Sequence, residues 1–198
     1  MADGQALLDF LDDMRRLRRE CPWKREQTHR SLARYLQEET AETLEAIDSG
    51  DDAHLREELG DLLLQVYFHA VIAEETGAFD LDDVARSISD KMHRRNPHVF
   101  GAGAASMPAM SAAEVDAQWQ EIKAREKVRP SAYDGIGPSL SALLLATKIL
   151  ERRPDVVPPQ GSADVGDRLL ALVAEASAAG VDPEQALRDA VRRAVPER

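Results

Sequence analysis

A chain of 198 residues with 43% hydrophobic and 5% aromatic residues is long enough for one ordinary domain, or one domain with a helical appendix. Its formal net charge of -11, with basic residues never in a long block, excludes duplex nucleic acid and anionic membrane as partners. One cysteine, Cys21, excludes an internal disulfide framework, and no apolar run approaches the roughly 20 residues needed to span a bilayer; both features predict a cytoplasmic protein.

The first predicted helix covers residues 5–20, where Leu7, Leu8, Leu11, Met14 and Leu17 recur at three- and four-residue spacings until Pro22 ends it. A second runs from about Ser31 to Asp48 and is closed by Gly50 as a left-handed terminator. The third, about Asp52 to Thr76, takes Asp51 or Asp52 as cap and carries a stripe through Leu55, Leu59, Leu62, Leu63, Val66 and Ala70. A fourth starts from Asp80, with Asp83 completing its cap, and stops at Asn96-Pro97. Residues 97–108 read as loop.

Ser111 and Glu114 predict a capping box for a fifth helix, which contains Trp119 and ends near Val128. Gly135, Gly137 and Pro138 mark a break. A helix over about 139–152, a Pro-rich linker over 154–161, and two short helices separated by Gly180 complete the chain. Nothing alternates with period two, so the fold class is all-α.

A weak internal repeat accompanies these elements. Glu58-Leu59-Gly60-Asp61-Leu62-Leu63-Leu64 is echoed by Asp164-Val165-Gly166-Asp167-Arg168-Leu169-Leu170; Gly77 with Asp80 is echoed by Gly180 with Asp182, and residues 91–95 by 188–193.

The chemistry is concentrated in two stretches, Glu38-Glu39-Thr40-Ala41-Glu42 and Glu58-Leu59-Gly60-Asp61. Residues three apart share a helix face, so Glu39 with Glu42, and Glu58 with Asp61, each present two oxygen donors in one direction. Taken alone, such a pair is usually a solvated helix face. Here two pairs lie on consecutive helices joined by a short turn, and Glu58 and Asp61 sit among leucines. Four carboxylates converging on one point need a cation or bound protons, and an all-oxygen donor set suits Mg²⁺ or Mn²⁺ rather than Zn²⁺. Neither acidic stretch contains a Glu-x-x-His pair, which argues against a carboxylate di-iron bundle.

The order Glu-Glu-x-x-Glu, spacer, Glu-x-x-Asp resembles the MazG nucleotide pyrophosphohydrolases. So do Cys21-Pro22-Trp23, Gln27-Thr28, Ser31-Leu32, the run from Arg56 to Leu63, Ile88-Ser89-Asp90-Lys91, and Arg94-Arg95-Asn96-Pro97-His98-Val99-Phe100. The resemblance covers roughly residues 5–150. It implies a helical hairpin that two subunits pack into a four-helix core, so that the homodimer is the expected assembly, with Mg²⁺ (Mn²⁺ as substitute) held by Glu39, Glu42, Glu58 and Asp61. It further implies that Glu38 and Glu39 serve catalysis, Glu38 by standing behind the metal ligands or by orienting the attacking water, and that Lys91, Arg95, Trp119 and Lys123 bind the substrate. The implied reaction is hydrolysis of (deoxy)nucleoside triphosphates to the monophosphate and pyrophosphate, with clearance of non-standard or oxidised nucleotides as its use. A narrow dUTP- or dCTP-type pyrophosphatase and a catalytically silent nucleotide-sensing dimer are the alternatives.

Two departures stand out. Lys24 follows Cys-Pro-Trp where the family commonly carries Asp. Many relatives have two full domains, whereas here residues 1–150 form the expected catalytic domain and residues 151–198 a degenerate partial second repeat without its Glu-Glu-x-x-Glu helix. His29, His54, His69 and His98 receive no role.

Overall fold

The computed structural model describes residues 4–104, 108–126, 130–137, 139–157 and 161–195, and among these every regular element is helical. The chain forms two compact units, Met1–Gln120 and Glu121–Arg198. In the first, α1 (Gln5–Glu20), α2 (Pro22–Glu26), α3 (His29–Ser49), α4 (Asp52–Glu75), α5 (Leu81–Arg95) and α6 (Pro97–Phe100) are followed by α7 (Ala112–Glu126), within which the division falls.

Cys21 is held extended by the proline that follows it (φ -89°, ψ 116°), which breaks the chain between α1 and α2, and Pro22 then opens a new helix at its first position. Pro22 is therefore a restart as well as a stop, and α2 is an element the periodicity does not reveal. The next helix begins at His29, two residues before the expected Ser31. The reason is its cap: the Thr28 hydroxyl accepts from the Ser31 backbone N–H at 3.2 Å, while Ser31 Oγ accepts from the Thr28 N–H at 2.9 Å. Gly50 ends α3 in the left-handed region (φ 69°), as expected, and Asp51 caps α4 through the Ala53 and His54 N–H groups.

The expected Asp80–Asp83 cap of α5 forms in both directions, as does the Ser111–Glu114 box of α7. Residues 97–100 correct the loop expectation. Asn96 leaves helical geometry (φ -120°, ψ 59°) and Pro97 restarts a single helical turn. The expected end of α7 near Val128, and Pro138, lie outside the described residues.

The core of this unit gathers Met14 of α1, Leu32 of α3, and Tyr67, Phe68, Val71 and Ile72 of α4. Burial of each such side chain contributes about 1.5–3 kcal/mol. Arg18, only 7% exposed, joins them as a buried charge. Its guanidinium donates to both carboxylate oxygens of Glu75, at 2.8 and 2.6 Å, and to the carbonyls of Lys24 and Gln27, thereby tying α1, α2 and the end of α4 together.

The second unit contains α8 (Ala142–Arg152), a 3₁₀ turn (Pro154–Val156), α9 (Val165–Ala178) and α10 (Pro183–Ala194). Among its described residues Leu150 and Val173 are the buried apolar ones, and a groove of about 650 Å³ is lined by residues that include Leu144, Ala174, Val181 and Pro183. Ser141, Asp164 and Asp182 cap the three helices.

Candidate active site

The α3–α4 hairpin positions the acidic site. Thr43 is buried between the two helices; its hydroxyl donates to the Glu39 carbonyl at 2.7 Å and lies 3.5 Å from the Glu58 carbonyl of α4. This crossing brings the two carboxylate stretches together: one oxygen from each of Glu39, Glu58 and Asp61 lies within 4.8 Å of the other two. All three side chains are half-buried.

Partial burial first, then the charges of Asp61, Glu42 and Glu58, and a hydrogen bond with Glu42, push the Glu39 carboxyl above the usual carboxylate range. Glu42 is thus beside Glu39 but stands outside the tight group of three, on the exposed side of α3. Acids so placed raise one another's energy when ionised, and a divalent cation relieves that cost. The donors are carboxylate oxygens alone, which fits a hard divalent ion.

Glu38 is exposed on the neighbouring face of α3, where its charge acts on the Arg34 guanidinium. Lys91 lines a groove of about 520 Å³ with Phe79, Asp83, Val84, Ser87 and Ile88 along α5. Arg95, one turn further, lies over the indole of Trp119 at 5.1 Å from the ring centre. Two of the expected substrate-binding residues therefore meet directly. Lys123 is half-buried and falls in the second unit.

Sequence reasoning passed over His54, whose Nε2 stands 3.2 Å from the Glu58 carboxylate. The signal was available, because His54 and Glu58 are four apart on one helix. Lys24, the departure from the family pattern, places its ammonium over the rings of Phe68 and Trp23, at 5.1 and 5.7 Å. In the second unit, Asp164 Oδ1 accepts from the Asp167 N–H at 3.0 Å and Asp167 accepts from the Ser162 hydroxyl at 2.7 Å, so both acids are used in local structure.

The sequence profile of the MazG nucleotide pyrophosphohydrolase domain matches residues 27–100, a span that holds all five acids. The chain is 40% identical over 202 residues to the nucleoside triphosphate pyrophosphohydrolase/pyrophosphatase MazG of Thermotoga maritima, covering 88% of this chain and 76% of that protein. It is 44% identical over 194 residues to an uncharacterized 26.1 kDa protein of Streptomyces cacaoi, covering 94% of this chain and 78% of that one. With the nucleoside triphosphate pyrophosphohydrolase of Escherichia coli K12 it shares 46% identity over 153 residues, which is 76% of this chain but 57% of that protein. The chain belongs to the MazG nucleotide pyrophosphohydrolase family.

Proposed function

We propose that this MazG-family hydrolase cuts nucleoside triphosphates, deoxy forms included, to the monophosphate and pyrophosphate in a Mg²⁺-dependent reaction, with Mn²⁺ as substitute. The observation that carries this reading is the convergence of Glu39, Glu58 and Asp61, with Glu42 hydrogen-bonded at its edge. The relatives from Thermotoga maritima and Escherichia coli are both named as nucleoside triphosphate pyrophosphohydrolases, in agreement with it.

Glu39, Glu42, Glu58 and Asp61 would hold the metal, which when bound supplies charge neutralisation and Lewis-acid polarisation of the phosphates. Glu38 orients the attacking water and takes its proton. The water oxygen bonds to the α-phosphorus, the bridging α–β oxygen leaves with pyrophosphate, and Lys91 and Arg95 offset the negative charge of the phosphates. Trp119 offers a flat face to the base.

Several further readings rest on the same footing. The exposed Leu36, Leu44 and Ile47 of α3 and Leu59 and Val66 of α4 are more apolar surface than a lone hairpin should present, which supports packing against a second copy into a four-helix core. Engagement of Asp164 and Asp167 in local hydrogen bonds supports reading residues 151–198 as a degenerate partial repeat that holds no metal. No helix among the described residues is long and apolar enough to cross a membrane, and the free Cys21 accords with a cytoplasmic setting.

The deciding experiment is chromatographic product analysis with common and oxidised triphosphates, with and without Mg²⁺. Metal-dependent monophosphate plus pyrophosphate is expected, and the relative rates rank broad against dUTP- or dCTP-restricted use. Diphosphate plus phosphate would overturn attack at the α-phosphorus, and no turnover with any nucleotide would favour the sensing dimer.

A further inference from the structure

A polar stripe runs along the long helix α4: His54, Glu58, Asp61, Gln65 and His69, spaced by three or four residues. The acidic group occupies the middle of this stripe. On its N-terminal side, one turn before Glu58, His54 reaches the Glu58 carboxylate at 3.2 Å. In the corresponding place on the C-terminal side, one turn after Asp61, stands Gln65.

Gln65 is only 4% exposed, and its carbonyl Oε1 is fully buried without a hydrogen-bond donor. A buried carbonyl oxygen left in that state is destabilising, whereas a methionine of nearly the same size would fill the space without that penalty. No group among the described residues donates to it, and its stripe neighbour Asp61, as an ionised carboxylate, can only accept. What a site of this kind can supply is a cation's hydration shell, since Mg²⁺ retains several of its waters and polarises their O–H bonds into strong donors.

We infer that Gln65 is a positioning residue for the metal site, its Oε1 accepting a hydrogen bond from a water on the cation that Asp61 holds. This rests on the metal-site reading above and extends it to a side chain outside the acidic motif. Gln65 acts through that water and touches neither the nucleotide nor the reacting phosphorus.

The test is calorimetric titration of Mn²⁺ into the full chain without nucleotide, for wild type, Gln65→Met and Gln65→Glu, together with thermal melts of the metal-free proteins. Gln65→Met should lower Mn²⁺ affinity by about 10-fold or more, while its metal-free melting temperature stays level or rises because an unsatisfied polar group has gone. Gln65→Glu, which keeps an acceptor oxygen, should recover affinity to within about 3-fold of wild type. Equal Mn²⁺ affinity in wild type and Gln65→Met overturns the inference alone, as does a metal-free Gln65→Met protein that melts well below wild type, since Gln65 would then serve packing. Wild type that binds no Mn²⁺ overturns the metal-site reading and takes this inference with it. Should Gln65→Met fail to fold, Gln65→Leu provides the same comparison.

Discussion

His29 at the start of α3 and His69 in α4 share a hydrogen bond between their Nδ1 atoms, 2.8 Å apart. The ring planes are parallel to within 6° and the ring centres are 5.1 Å apart. That separation equals the nitrogen–nitrogen distance plus two ring radii, so each Nδ1 lies on the line between centres and the rings meet edge to edge in one plane. One Nδ1 therefore carries a proton and the other is bare, and a proton on both would set two N–H groups against each other.

Burial first, and the His29 charge second, hold His69 below the usual histidine range. A base depressed in the fold binds fewer protons than in the unfolded chain. Stability is then lost as the pH falls through the ordinary histidine range, about pH 7 to 5. Thermal melts across that range should fall more steeply for wild type than for His69→Gln. Equal slopes would assign the effect to other groups.

Glu39 works in the opposite sense. Its carboxyl is raised in the fold, by burial and then by Asp61, Glu42 and Glu58, so its contribution to stability is greatest at low pH and is lost as pH rises through the raised value. At neutral pH the metal-free protein bears that cost. Glu39→Gln should melt a few degrees higher than wild type without metal, while Mg²⁺ should raise the melting temperature of wild type alone. Turnover by Glu39→Gln or Asp61→Ala should fall by about 100-fold or more, and either variant keeping full metal-dependent activity would remove that residue from the ligand set.

Arg18 gives a stability prediction remote from chemistry. Replacing it with Ala removes both bonds to Glu75 and the Arg18 bonds to the Lys24 and Gln27 carbonyls, of which Lys24 keeps the Gln27 N–H as a donor. Glu75 remains 46% exposed and can be resolvated, which holds the loss to about 2–3 kcal/mol. Hydrogen bonding from Arg18 keeps the Glu75 carboxyl below the usual range, so its contribution is present above that range and lost as the pH falls through the depressed value. Urea titrations at neutral and acidic pH should show wild type and Arg18→Ala converging in acid.

Arg95 over Trp119 supplies an optical handle. In a chain with Trp23 replaced by Phe, emission reports on Trp119, and Arg95→Ala should shift it before any nucleotide is added. The same substitution should raise KM for a triphosphate by about 10-fold, the loss of one charge-assisted phosphate contact. Trp119→Phe should retain most of the binding and Trp119→Ala little. A KM unchanged in Arg95→Ala would confine this pair to structure.

The all-α class, the Gly50 terminator, the Asp80 and Ser111 caps and the paired acids on consecutive helices were all legible in the sequence, because each depends on residues within one helical turn of each other. Proline's double part was harder to read: Pro22 and Pro97 both stop one helix and start the next, and four- or five-residue helices carry too little periodicity to detect. Only the tertiary structure decided which acids converge. The register of α3 on α4, fixed where Thr43 meets the Glu58 backbone, brings Glu39 to Glu58 and Asp61, leaves Glu42 at the edge, and joins His29 to a partner 40 positions away. Local spacing can place a side chain on a helix face, but which side chain it meets depends on how two helices settle against each other, and that is set by the whole apolar interface rather than by any motif.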